Sequence, residues 1–274
     1  MRLDRAVAAR GLARSRAHAH ELITAGLVLV SGEPVTKPSA DVADDADISL
    51  ADGAAAHYVS RAALKLVGAL DACEPLGLVV SGRDCLDAGA STGGFTQVLL
   101  ERGARHVLAV DVGHDQLAPV VVADPRVTSR EGVNVKDLTT SSEGAGVSLV
   151  VADLSFISLT HVIDPLVAFA ADDADLLLMV KPQFEVGRAR LGSGGVVRDA
   201  RDRADAVARV VAHMRAAGLG IHSIERSTVP GPAGNVEFFV WGSGSWQARG
   251  AGAPPVLDDD QIAHRIDVAV GGAR

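Results

Sequence analysis

From residue 58 onward the chain alternates short apolar runs with stretches of helical periodicity, and that alternation leaves few folds open. Strands are expected at 83–87, 106–111, 127–130, 147–153, 174–181, 220–227 and 235–241, and helices near 60–72, 94–103, 114–122, 159–170 and 200–217. The apolar runs are nearly continuous, as in Leu176-Leu177-Leu178-Met179-Val180, rather than alternating with polar residues. Strands of that kind are buried on both faces, which a parallel sheet covered by helices provides. The last run follows 220–227 by a short turn, so those two are expected to pair antiparallel. The expectation is an α/β domain built on a mostly parallel seven-stranded sheet whose last strand is antiparallel.

The first 57 residues read differently. Leu3 and Val7 stand at i, i+4 in a short helix over 3–9, and a second helix over 15–25 starts at Ser15, a suitable N-cap, and stops at Gly26. Leu27-Val28-Leu29-Val30 then forms a strand and Ser31-Gly32-Glu33-Pro34 a turn. Residues 39–57 are rich in Ala and Asp, which places a domain boundary between 57 and 58. This gives a small α+β domain over 1–57 and a large one over 58–274, with a Gly-rich linker at 242–255 and a terminal helix over 257–270.

A hydrophobic fraction of 48% with only 3% aromatics implies a core of Val, Leu and Ala. The net charge of −8 argues against non-specific nucleic-acid binding by the whole molecule. Residues 1–37 are the exception, with Arg2, Arg5, Arg10, Arg14, Arg16 and Lys37 against Asp4, Glu21 and Glu33, a net of +3. That asymmetry points to an anionic partner. Cys73 and Cys85 have no metal-type spacing and read as small buried hydrophobes of a reducing compartment, and no metal site is expected. The N-terminus lacks the apolar core of a signal peptide, and no run reaches the roughly 18 apolar residues of a membrane span. A soluble cytoplasmic protein is expected, without an obligate protein partner.

Asp87-Ala88-Gly89-Ala90-Ser91-Thr92-Gly93-Gly94-Phe95 follows the first strand of the large domain and opens a helix. Glycines there let the backbone approach a ligand, and the helix start offers free N–H groups. Asp111 ends the second strand about 20 residues on, where a carboxylate can accept both hydroxyls of a ribose. A nucleotide cofactor follows. A dinucleotide such as NAD favours a pyrophosphate at the helix start, which Asp87 would repel; the same carboxylate suits the amino group of a methionine moiety. The pattern resembles the first motif of S-adenosylmethionine-dependent methyltransferases.

Lysine is scarce here. Of the 26 basic residues only Lys37, Lys65, Lys136 and Lys181 are lysines, so a generic cation in this chain is an arginine. Lysine can become neutral and act as a base, which arginine cannot. Lys181 ends a buried apolar run, where an active site of an open α/β sheet lies. Asp153 ends another strand, Glu237 lies early in the last one, and Lys65 comes from the helix before the first. An ordinary lysine, with a pKa of about 10.4, must be made less basic to serve near neutral pH, and burial, a second lysine and a cationic cofactor all act in that direction, whereas the carboxylates oppose it.

Together these residues resemble the Lys-Asp-Lys-Glu tetrad of FtsJ-like RNA ribose 2′-O-methyltransferases. The stretches that carry the resemblance are Ser60-Arg61-Ala62-Ala63-Leu64-Lys65, Ala152-Asp153-Leu154, Val180-Lys181-Pro182 and Asn235-Val236-Glu237. Arg2-Leu3-Asp4, Ala13-Arg14-Ser15-Arg16 and the stretch from Leu22 to Gly32 are similar to an S4 RNA-binding domain. An S4 domain joined to an FtsJ-like domain resembles the hemolysin A (TlyA) family, and the likeness covers nearly the whole chain. The junction has Tyr58 where that family commonly has Trp, and the family's basic N-terminal extension is almost absent. The resemblance implies a Rossmann-like methyltransferase domain that 2′-O-methylates cytidine in ribosomal RNA of the small subunit and, in many members, the large. It further implies S-adenosylmethionine held by Asp87, Gly89, Ser91, Gly93, Gly94, Phe95, Asp111 and Asn134. Catalysis falls to Lys65, Asp153, Lys181 and Glu237, and RNA contact to Arg2, Arg5, Arg14, Arg16 and Lys37. The loop 186–195 reads as a flap over the substrate strand or a plain surface loop.

Overall fold

The computed structural model describes residues 1–13, 16–24, 26–50, 57–187, 190–231, 234–246 and 254–271. The chain divides into two compact units, Met1–Leu64 and Lys65–Arg274.

In the first unit, α1 (Leu3–Ala9) and α2 (Arg16–Thr24) pack on a small sheet of β1 (Val28–Val30), β2 (Glu33–Pro34) and β3 (Ile48–Leu50) in the order β2-β1-β3. Leu3, Ala6 and Val7 of α1 and Ala19, Leu22 and Ile23 of α2 recur at helical spacing and are buried with Val28 and Ile48. Gly26, at φ +73°, ends α2, and the two-residue turn Ser31-Gly32 has φ of +54° and +82°. Positive φ at both central positions is the turn geometry that matches the twist of a hairpin, which fixes Val30 opposite Glu33. β3 is a correction to the sequence reading: Ile48 pairs opposite Val30 inside the stretch taken as boundary chain. The expected N-cap Ser15 and the Ala-rich part of that boundary, 51–56, lie outside the described residues.

The second unit is the expected seven-stranded sheet. β4 (Asp84–Ala88), β5 (His106–Asp111), β6 (Val127–Glu131), β7 (Val147–Ala152), β8 (Ala170–Val180), β9 (Gly220–Arg226) and β10 (Phe238–Ser243) lie in the order β6-β5-β4-β7-β8-β10-β9. The pairs from β6 to β8 are parallel, and β10 is antiparallel to both its neighbours. The chain builds β4, β5 and β6 outward and then returns to lay β7 on the other side of β4. That reversal opens a crevice at the carboxyl ends of β4 and β7, where such sheets bind ligands. Helices α3 (Ala62–Cys73), α4 (Gly94–Glu101), α5 (Pro119–Val122), α6 (Ile163–Phe169), α7 (Pro182–Glu185), α8 (Ala200–Ala216) and α9 (Asp259–Gly271) complete the unit. Leu86, Leu108, Val150, Leu176 and Val240 of the strands are buried with Phe169, Val210, Met214 and Ile266 of the helices.

Two expected helices shrink. Over 114–122 only Pro119–Val122 is helical, because Glu131 accepts the backbone N–H groups of Asp115, Gln116 and Leu117 at 2.7–3.1 Å and holds them in a turn. Over 159–170 a 3₁₀ turn precedes α6, and β8 already begins at Ala170. Both cysteines are buried, and burial pushes their thiols up to about 12, which leaves them inert.

Candidate active site

The sheet register brings the sequence-marked residues to one edge. Ala88, Ala152 and Leu178 stand side by side in β4, β7 and β8, and Phe238 of β10 faces Val180. The next residues along these strands are Gly89, Asp153, Lys181 and Glu237, so all four emerge at the carboxyl edge. Lys65, in the first turn of α3, reaches the same place.

There the tetrad forms two ion pairs. Lys181 Nζ lies 2.5 Å from Asp153 Oδ1 and donates to Ser155 Oγ at 2.8 Å. Lys65 Nζ donates to Glu237 Oε2 at 2.5 Å. Lys65, Lys181 and Glu237 are buried, Glu237 at 1% exposure. Charges this buried are costly unless paired, and breaking one partner leaves the other exposed to the full cost.

Four residues around the tetrad were given no role in the sequence reading. Gln183 Nε2 donates to Glu237 Oε1 at 3.2 Å, and its own Oε1 is buried without a donor. A carboxylate only accepts, so the amide must turn its nitrogen to Glu237 and its oxygen away. Phe156 is 90% exposed with φ +64°, and its ring sits 5.2 Å from that of Phe184, which in turn has Lys181 Nζ 5.9 Å from its centroid. Glu185, buried in α7, accepts from Ser158 Oγ at 2.6 Å and Leu159 N at 2.8 Å, tying the loop after β7 to the exit of β8. Burial raises its carboxyl above the ordinary range. Aromatic scarcity was the available signal for Phe156 and Phe184: the chain has six phenylalanines, and these two pair with each other, Phe184 lying beside Lys181.

Beside the tetrad lies a cavity of about 450 Å³ lined by Gly89, Ser91, Asp111, Asn134, Asp153, Ser155 and Phe156, with apolar wall from Val133, Val135 and Ile157. Gly89, at φ +87°, allows the two loops of the crevice to meet, since a Cβ there would stand 2.7 Å from the Asp153 carbonyl oxygen. Asp111 accepts Ser91 N and Gly113 N, each at 2.8 Å, one on each carboxylate oxygen. Each oxygen keeps a further lone pair for a ribose hydroxyl. Asn134 Oδ1 accepts Lys136 N at 3.1 Å.

Asp87, fully buried beneath the loop, accepts from Thr96 Oγ1 at 2.6 Å, and its other oxygen has no partner among the described residues. Burial pushes its carboxyl up to about 7, against the pull of the Thr96 hydrogen bond and with help from the neighbouring Asp153 and Asp111. Asp87 lies beneath the cavity rather than in its lining, and Gly93, Gly94 and Phe95 do not line it either. Gly93 takes φ +93° at the start of α4, and Phe95 is buried with its ring 6.2 Å from that of Phe239, a core position.

In the N-terminal unit, Asp4 is buried and holds two arginines. Arg2 donates to both its oxygens at 2.9 and 3.1 Å, and Arg16 Nε donates to Oδ2 at 3.0 Å. The hydrogen bond from Arg2, then that from Arg16, holds the Asp4 carboxyl well below the usual range despite its burial. The Arg2 and Arg16 side chains remain about half exposed, at 44% and 53%. Arg5 and Lys37 are exposed, and Arg14 lies outside the described residues. Arg188 and Ala189 of the expected flap are outside them too, while Arg190 is paired with Asp202 and Asp205 on α8.

Among the described residues no group of three or more metal-ligating side chains is present, and no helix is long and apolar enough to cross a membrane.

Comparison with known proteins accounts for this arrangement. Residues 58–243 match the FtsJ-like methyltransferase family and residues 1–48 the S4 domain. The chain is 52% identical over 242 residues to the 16S/23S rRNA (cytidine-2′-O)-methyltransferase TlyA of Mycobacterium tuberculosis, covering 88% of each protein. It is 36% identical to the 23S rRNA (cytidine-2′-O)-methyltransferase TlyA of Campylobacter jejuni, covering 88% of this chain and 98% of that one. A solved structure from Streptococcus thermophilus that carries a hemolysin name superposes with a TM-score of 0.74 at 32% identity, covering 97% of this chain and 94% of that one. The cavity beside Asp111 and the unpartnered oxygen of Asp87 fit a nucleoside that carries an ammonium group, as S-adenosylmethionine does. The chain is therefore an S-adenosylmethionine-dependent methyltransferase that belongs to the FtsJ-like family, joined to an S4 domain as in the TlyA (hemolysin A) proteins.

Proposed function

We propose that this protein methylates the ribose 2′-hydroxyl of a cytidine in ribosomal RNA of the small subunit, with the large subunit as a second substrate. The observation that supports it most is that Asp153 and Ser155, the two partners of Lys181, also form the wall of the cofactor cavity. The names of the Mycobacterium and Campylobacter relatives support the nucleoside and the RNA class.

In this reading Asp87 holds the amino group of the cofactor, Asp111 its ribose hydroxyls, and the apolar wall near Val133 and Ile157 its adenine. Bound S-adenosylmethionine supplies a methyl group on a sulfonium centre. A ribose hydroxyl is a weak nucleophile, so its proton must leave as the new bond forms. Lys181 is the base that takes that proton at Nζ. Asp153 and Ser155 aim Nζ and stabilise the ammonium produced. Lys65, held by Glu237, lends positive charge to the 2′-oxygen as it becomes negative. Alignment of the reacting atoms supplies much of the rate. The exposed Phe156 ring is a platform on which a cytosine lifted from its RNA can stack. Residues 1–57 bind the RNA backbone through Arg2, Arg5, Arg14, Arg16 and Lys37, and residues 58–274 carry the chemistry.

Incubation with isolated small and large subunits and labelled S-adenosylmethionine, followed by mapping of the modified nucleotide, tests the substrate. Label at a cytidine of the small-subunit RNA supports the reading. Label confined to large-subunit RNA moves the substrate to that particle, and label in neither removes ribosomal RNA as the target.

A further inference from the structure

Lys65 and Glu237 come from elements far apart in sequence, yet their charged atoms meet at 2.5 Å. One turn after Lys65, on the same face of α3, stands Gly68. A glycine in the middle of a helix is a poor helix former, so its presence calls for a reason. The reason is contact: a Cβ on Gly68 would stand 2.5 Å from Thr228 Oγ1, 2.7 Å from its Cγ2 and 3.2 Å from its Cβ. Thr228 follows Ser227, whose N–H donates to the backbone carbonyl of Glu237 at 2.9 Å. The path therefore closes on itself. It runs from Lys65 through its ion pair to Glu237, through the backbone hydrogen bond to Ser227, and from Thr228 across the tight contact to Gly68 three residues from Lys65. On the other side, a Cβ on Gly231 would stand 2.6 Å from the Glu237 Cδ, so a second glycine leaves room for that carboxylate.

We infer that Gly68 is a positioning residue for catalysis: the close seat of α3 on Thr228 sets how far Lys65 projects toward Glu237 and the reacting 2′-oxygen. A side chain at position 68 lifts the helix or displaces Thr228, and either shift moves the ammonium of Lys65. The inference rests on the proposed catalytic role of Lys65. Its signature separates it from an ordinary packing role, because a clash that acted on packing alone would lower the melting temperature and leave kcat of the folded protein unchanged. Misplacement of a reacting group by about 1 Å costs on the order of 100-fold in rate.

The test is a double-mutant cycle on the full-length protein, read as kcat for methyl transfer to ribosomal subunits, with S-adenosylmethionine affinity and melting temperature alongside. Gly68→Ala is expected to lower kcat, measured well below the melting transition, at least tenfold while cofactor affinity holds, with at most a modest fall in melting temperature. Thr228→Ala removes the two nearest atoms and leaves only the 3.2 Å approach. Adding it to Gly68→Ala is expected to return kcat to within about threefold of the Thr228→Ala protein, a coupling that independent sites do not show. Equal effects of Gly68→Ala with and without Thr228→Ala overturn the inference, as does an unchanged kcat in the Gly68→Ala protein when Lys65→Ala is inactive. Full turnover by Lys65→Ala overturns instead the catalytic reading on which the inference stands.

Discussion

The large sheet carries a buried charge cluster at each end, and the two are built differently. At the end away from the cofactor, Asp175 accepts from Trp241 Nε1 at 3.0 Å and from Arg83 Nη1 at 2.5 Å, and Arg83 also donates to the Ser148 carbonyl. Close by, His222 is bonded to Ser243 Oγ at 2.7 Å and to the Pro255 carbonyl at 2.9 Å. At the carboxyl edge the cations are Lys65 and Lys181, and nearby Gln183 Oε1 and Asp87 Oδ1 are left without partners. Buried polar atoms are nearly always satisfied, and the exceptions mark strain or function. One end uses a permanently charged guanidinium with its carboxylate fully engaged, which fastens three strands. The other uses amines that can lose a proton and keeps acceptors open for something that arrives. On the proposed function, the same sheet separates a structural ion pair from a reactive one by the choice of cation and by what is left unsatisfied.

That contrast is broken most severely at Lys181. Lys181→Arg keeps the charge but cannot become a neutral base. Methyl transfer should fall by about 10²–10⁴-fold, the usual contribution of such a base, while calorimetry shows S-adenosylmethionine affinity nearly unchanged. Substantial turnover would reduce Lys181 to an electrostatic clamp and erase the distinction between the ends.

The mirror experiment is Asp175→Ala. It leaves Arg83 and the Trp241 indole without their partner and should cost about 3–5 kcal/mol of stability. Thermal or denaturant unfolding should show the loss, and kcat of the folded protein should stay within a few-fold of the parent. A collapse of kcat below the melting transition would show that the two ends are coupled.

A third prediction concerns pH. Burial raises the Asp87 carboxyl to about 7. Below that pH the free protein holds it protonated, and an ammonium group bound there needs the carboxylate. Cofactor affinity should therefore fall as pH drops below about 7, approaching tenfold per unit, with proton release on binding. The raised value also means that the cofactor-free fold loses stability as pH climbs from the ordinary carboxylate pKa of about 3.9 toward about 7. Calorimetry in buffers of different ionisation heat checks the release. Asp87→Asn should weaken binding and flatten its pH dependence; an unchanged profile removes Asp87 from the cofactor site.

The smallest effect is expected in the N-terminal unit, where charge is exposed. Arg16→Ala should reduce the salt dependence of subunit binding by about one unit of slope and leave cofactor affinity alone. Because Arg16 shares Asp4 with Arg2, a loss well beyond one contact would mean that the shared carboxylate orients both arginines together.

Much of this was legible in the sequence. Most strands of the large sheet were legible because they are largely apolar, and Asp153, Lys181, Glu237 and Lys65 stood out because each adjoins a strand end or opens a helix. Lysine scarcity singled out Lys65 and Lys181, which the structure places in buried ion pairs at the carboxyl edge. What escaped depends on contacts between distant segments. No local pattern shows that Glu131 unwinds residues 115–117 or that Ile48 pairs with Val30, in a stretch whose Ala and Asp suggest loop. Gln183 and Gly68 look ordinary in sequence, and only the placement of Glu237 beside the one and of Thr228 against the other gives each a purpose. Phe95 was taken for a cofactor contact because it sits in the loop motif, but the helix it opens turns it into the core.

The central claim is that the paired lysines act on a ribose oxygen, and the position of the transferred methyl group tests it most directly. Ribosomal RNA methylated by the wild-type protein should be digested to nucleosides and the product identified by mass and chromatography, with Lys181→Arg run in parallel. The account predicts 2′-O-methylcytidine from the wild type and none from the variant. A methyl group on a base atom, or an equal yield of 2′-O-methylcytidine from both proteins, would contradict it.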